Sequence, residues 1–152
     1  MPASTPTPDL VARARLVWSG LLATAVLYLV LLYALVPGTG PLDMPPALVH
    51  LGPIFLALAT VQTLVVALLQ YRHLAGRGWS APDMVDSRRL FVLYVTCWVL
   101  AESIATYGLV LGLVGRSRHG AIGFFVWAIS LLLTLRPRAA HLCAGLAYSR
   151  PR

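Results

Sequence analysis

The sequence predicts an all-α integral membrane protein, an antiparallel four-helix bundle with both termini in the cytoplasm, and three observations carry that reading. Hydrophobic residues make up 59% of the 152 and charged residues only 11%, about half the charged share of an ordinary soluble domain. The uncharged stretches fall into four runs near the ~20 residues that a helix rising ~1.5 Å per residue needs to cross a hydrocarbon layer ~30 Å thick. The twelve basic residues are all arginine, and they gather at the ends of those runs instead of lining one face as a nucleic-acid binder requires. Such a composition excludes a disordered tail, a disulfide scaffold and a collagen-like repeat, and the length allows one domain.

The elements follow in order. Residues 1–12, MPASTPTPDLVA, are rich in Pro, Ser and Thr and are expected to be mobile. The membrane domain is expected over 13–136. Its first span covers about 16–36, stopped by Pro37, Gly38, Gly40 and Pro41; the second covers about 47–69, ending at Gln70, Tyr71 and Arg72. The third, about 90–115, carries Glu102, the one glutamate of the chain. The fourth is short, running from Gly120 to Leu135, and snorkelling of Arg116 and Arg118 lets it begin near 118. Residues 137–152 place Ala140, Cys143 and Ala147 with Leu142 and Leu146 at helical spacing between arginines, which predicts an amphipathic helix on the cytoplasmic surface. The first run also mimics a signal peptide, but its apolar core exceeds the usual ~7–15 residues and no A-x-A site precedes Pro37.

Orientation follows from arginine counting. Arg13 and Arg15, the loop arginines Arg72, Arg77, Arg88 and Arg89, and Arg136, Arg138, Arg150 and Arg152 fall on one side of a four-span arrangement, against Arg116 and Arg118 on the other. The positive-inside rule then puts the termini and the second loop in the cytoplasm. A chain using arginine without lysine fits a GC-rich bacterial genome, hence a bacterial inner membrane. Trp18, Trp79 and Tyr71 fit an aromatic belt at that interface, while Trp98 and Trp127 fall deeper, as packing residues. In the second loop Ser80 reads as an N-cap ahead of Pro82 and Asp83, and Asp83 and Asp86 as partners of Arg88 and Arg89.

Glu102 stands twelve residues beyond Leu90, near the middle of its run. An acid there costs roughly 2.5–3.5 kcal/mol on insertion scales, and it marks either a hydrogen bond tying two spans together or a site that exchanges a proton or binds a cation. Equal rises from the cytoplasmic ends put Tyr28 of span one and Thr60 and Gln62 of span two near its level. Gln62, which both donates and accepts, is the preferred partner. Around Glu102, the residues Ala101, Ala105, Gly108, Gly112 and Gly115 form a stripe of small side chains containing a GxxxG pattern, which marks a close helix contact within the bundle or with another subunit.

The stretch Leu100-Ala-Glu-Ser-Ile-Ala-Thr-Tyr-Gly-Leu-Val-Leu-Gly-Leu113 resembles the carboxylate-bearing helix of the proteolipid c subunits of rotary ATP synthases. The resemblance implies that Glu102 carries a translocated ion, that Tyr107 stands beside the site, and that a cytoplasmic polar loop precedes the helix, a place occupied here by the segment from Arg72 to Arg89. The sequence departs from that family in its second span, where Gly52 is the one glycine, and in having a span before and another after the matched hairpin.

Three functions follow as expectations. The leading one is a small non-catalytic subunit or accessory protein that docks on a larger membrane complex through the small-residue face of span three. The second is a proton- or cation-handling protein using Glu102. The third is a membrane redox carrier in which His50 and His119, both toward the outer surface, hold one haem or metal; otherwise His50 is expected to bond a helix end. His73 and His141 read as solvated. Cys97 and Cys143 have no CxxC partner, and neither a nucleophile with a base, a phosphate-binding glycine loop nor paired carboxylates are visible, so catalysis, a cofactor and a structural metal are not expected. The expected partners are the lipid bilayer and a protein partner or a second copy of the chain, with no nucleic acid.

Overall fold

The computed structural model describes residues 9–36, 49–71, 87–116 and 118–137. They form four helices: α1, Asp9–Leu35; α2, Leu51–Gln70; α3, Ser87–Gly115; and α4, Arg118–Thr134. The all-α expectation is met, and α1, α2 and α3 are long and apolar enough to cross a membrane. α4 has 17 residues, about 25 Å of rise against a ~30 Å hydrocarbon layer, so it is a shorter apolar helix.

Boundaries shift where end chemistry overrides hydropathy. α1 starts at Asp9, seven residues ahead of Leu16 and inside the segment expected to be mobile, and carries Arg13 and Arg15 within its first turns. α2 starts at Leu51 rather than near 47, with His50 at the N-cap and Pro53 in the first turn, where the missing N–H has no helical partner to lose. Its first main-chain bond is Ile54 N–H to the His50 carbonyl at 3.2 Å. The His50 imidazole makes no cap bond, which corrects the expectation that it ties down a helix end. The 137–152 tail beyond Pro137, the loop around Trp79, Ser80, Asp83 and Asp86, His73, His141 and Cys143 lie outside the described residues.

α3 is the axis of the packing: it lies against α4, α1 and α2, and α1 also meets α4. Of the most apolar stretch of α3, 44% is buried, against 11% for α1 and for α2. The central layer is Trp98, Ala101, Ile104, Ala105 and Leu111 of α3, Phe125, Ala128 and Leu132 of α4, and Ala25 and Leu32 of α1, all essentially inaccessible. α2 joins by a narrow seam at alternating steps of four and three, Phe55, Ala59, Gln62, Val66 and Leu69, the spacing that keeps one stripe against a neighbouring helix. Its other face, with Leu64 at 63% and Leu68 at 62% exposure, presents large apolar side chains outward. A water-soluble protein does not leave such a surface uncovered; a membrane protein turns it to lipid.

Two ends are fastened by side chains. The Trp18 indole N–H donates to the Leu132 carbonyl at 2.8 Å and the Trp98 indole N–H to the Leu135 carbonyl at 2.9 Å, satisfying carbonyls that the last turn of α4 leaves unpaired. At the opposite end Arg118 donates from Nε to the Val36 carbonyl and from Nη2 to the Tyr33 carbonyl, and its guanidinium lies 4.9 Å over the Tyr33 ring. Hydroxyls inside the helices turn back on their own backbone: Thr24 to Gly20, Thr63 to Ala59, Thr96 to Val92 and Thr134 to Leu131. That is how hydroxyls are satisfied where water is absent. No buried side-chain nitrogen or oxygen among the described residues lacks a partner.

Candidate functional site

Glu102 sits eleven residues past Phe91 and thirteen before Gly115 in the apolar part of α3, about 17 Å and 20 Å along the axis from either limit. Its side chain is half-buried, with the Tyr28 hydroxyl of α1 within reach of the carboxyl. The levels inferred by counting rises therefore bring Tyr28 and Glu102 together.

Gln62 belongs to a second polar cluster. Its Nε2 donates to the Tyr107 hydroxyl at 2.8 Å, and the Ser103 hydroxyl lies 3.2 Å from its Oε1 and 2.8 Å from the Leu100 carbonyl. Ser103 has one proton for these two acceptors, so it donates to them in turn or shares it. The Tyr107 ring is stacked on Phe55 of α2, with centroids 5.1 Å apart and planes 13° from parallel. Gln62, the expected partner of Glu102, is engaged with Tyr107 and Ser103, and the physical reason is helical geometry. Successive residues are ~100° apart, so Ser103 and Tyr107 turn toward α2 while Glu102 turns toward α1. Tyr107 is five residues from Glu102, on a different face, so it does not stand beside the acid as the ATP-synthase resemblance implied. Thr60 is exposed, and its hydroxyl donates to the Leu56 carbonyl at 2.8 Å.

The strip of α3 between the two clusters carries Val99 and Val110, exposed by 49% and 37%. Glu102 and Ser103 thus flank an outward-facing strip of α3 that neither α1 nor α2 covers.

The small-residue stripe is used within the chain. Ala101 and Ala105 are fully buried, and Gly108, Gly112 and Gly115 are buried as well. A Cβ on Gly108 meets the Phe124 Cβ at 2.9 Å and the Ala121 carbonyl at 3.0 Å, and one on Gly112 collides with Leu32 of α1. The GxxxG pattern therefore marks the α3 contact with α4 and α1, and the face expected to dock on a larger complex is covered from inside.

His50 and His119 are exposed at the starts of α2 and α4, and the helices that carry them pack on α3 rather than forming a shared interface. Among the described residues no group of three metal-ligating side chains converges. Ser103 and Phe55 were missed as members of the polar seam, although Ser103 and Tyr107 share the i, i+4 spacing that puts two side chains on one face. The chain matches no protein family, no curated protein and no solved structure.

Proposed function

We propose that this chain is a proton-handling membrane protein in which Glu102 binds and releases a proton at mid-membrane, with Tyr28 holding the carboxyl in place. The observation that supports the reading is a half-buried acid near the middle of an apolar helix, with Tyr28 of α1 within reach, in a helix whose small residues are already packed within the chain. Acids at that depth are expensive, and a functional role is the first hypothesis for them. The chain crosses a bacterial inner membrane as four antiparallel spans with both termini cytoplasmic; arginine placement supports this, and thinning of the bilayer accommodates the short α4.

The test is proton uptake by proteoliposomes carrying wild type, Glu102→Gln or Tyr28→Phe, combined with labelling by a hydrophobic carbodiimide, which reacts with protonated carboxyls in lipid. Wild type takes up protons and is labelled at Glu102, more slowly as pH rises. Glu102→Gln loses both, and Tyr28→Phe changes the pH at which labelling falls. Equal proton fluxes from wild type and Glu102→Gln overturn the proposal.

A further inference from the structure

Where α1 begins and α4 ends, a cleft of about 500 Å³ opens between the two helices, with Arg15 and Ser19 of α1 and Arg136 and Pro137 after α4 on its walls, beside Leu16 and Trp18. Arg15 of α1 and Arg136, just past the end of α4, are both exposed. The other polar groups of the cleft are already engaged. The Trp18 N–H is held by the Leu132 carbonyl and the Ser19 hydroxyl by the Leu16 carbonyl, at 2.8 Å and 3.0 Å. The carbonyl end of α4, which would repel an anion, has its Leu132 and Leu135 oxygens covered by the two indoles. What the cleft offers is two guanidiniums above apolar walls, with Leu16 at 73% exposure where the apolar part of α1 starts.

We propose that this cleft binds the phosphate of an anionic phospholipid headgroup, with Arg15 and Arg136 on the phosphate oxygens and the exposed Leu16 against the start of the acyl chain. Guanidinium is the side chain best matched to phosphate oxygens, and basic pockets between spans are recognised headgroup sites. A free phosphate would satisfy the same guanidiniums but would leave the apolar wall unused. The inference is independent of the role given to Glu102.

The experiment uses the full chain in phosphatidylcholine nanodiscs doped with phosphatidylglycerol, with co-retained lipid counted by native mass spectrometry. Wild type retains phosphatidylglycerol over phosphatidylcholine, and Arg15→Gln/Arg136→Gln weakens that preference by roughly ten- to thirtyfold, from the attraction each basic residue contributes. Arg15→Lys/Arg136→Lys keeps part of the preference, and Arg116→Gln, which removes a charge at the opposite end, leaves it unchanged; together these separate loss of the site from loss of fold or of net charge. Equal phosphatidylglycerol retention by wild type and the double glutamine variant overturns the proposal. So does displacement of the lipid by millimolar inorganic phosphate, which would make the cleft a site for the free anion.

Discussion

Gly108 of α3 lies against Phe124 of α4 so closely that a methyl group on it would stand 2.9 Å from the Phe124 Cβ and 3.0 Å from the Ala121 carbonyl oxygen. Neither is the far end of a flexible side chain, so relief requires the two helices to part. Gly108→Ala is expected to destabilise the fold by about 1–3 kcal/mol, the usual range for overpacking, while Gly20→Ala and Gly52→Ala, where open space surrounds the position, are expected to be neutral or to stabilise slightly through helix propensity. Unfolding in mixed micelles by rising denaturing detergent, followed by circular dichroism, measures all three. A Gly108→Ala protein as stable as wild type would show that α3 and α4 do not meet this closely.

α3 ends on a residue ill suited to its backbone. Arg116, the first after the helix, has a φ of 47°, the left-handed conformation that closes helices and that glycine adopts without cost. Arg116→Gly is therefore expected to raise stability by about 1 kcal/mol, and Arg116→Val, β-branched, to lower it. Both are read in the same titration, and a glycine variant less stable than wild type sinks the assignment of a strained turn.

The spans were legible because lipid imposes a length and a charge rule that a single sequence displays: the runs at 16–36 and 90–115 land on α1 and α3 within a few residues at their C-terminal ends. The N-terminal ends were less so, since α1 and α3 extend past their arginines, which hydropathy treats as stops and a helix end at the interface tolerates. The depth of Glu102 and the presence of Tyr28 at its level also follow from counting residues. Which side chain meets which does not, because rotation about the helix axes decides whether Gln62 faces Glu102 or Tyr107, and hydropathy is silent on rotation when every face is apolar. The same blindness hid the destination of the small-residue stripe: Gly108 and Gly112 announce a close contact without saying whether the other helix comes from this chain.

Arg118 illustrates an interaction with no local signature, 82 and 85 residues from the carbonyls of Val36 and Tyr33 that it holds. A charged donor to a carbonyl contributes about 1.5–3 kcal/mol, and a cation over an aromatic face adds roughly 0.5–1 kcal/mol. Counting the guanidinium fork as one such bond, Arg118→Leu is expected to cost about 2–4 kcal/mol. Tyr33→Leu removes the ring alone and leaves its carbonyl, so its expected cost is about 0.5–1 kcal/mol. If the two variants lose equal stability, the guanidinium is not capping α1.

The separation of Glu102 from Gln62 is open to a direct energetic test. With Tyr28→Phe and Glu102→Leu as one cycle and Gln62→Leu and Tyr107→Phe as another, each pair should show a coupling of about 0.6–1.7 kcal/mol, the range found for hydrogen bonds inside membranes. The crossed cycle, Glu102→Leu with Gln62→Leu, should be additive within about 0.5 kcal/mol, as for residues without a shared partner. Additivity matters to the proposed chemistry, because an acid coupled only to a tyrosine hydroxyl can lose its proton without dismantling the α2–α3 seam. A crossed coupling as large as the within-pair values would mean that one network spans both faces of α3, and deprotonation of Glu102 would then loosen α2 as well.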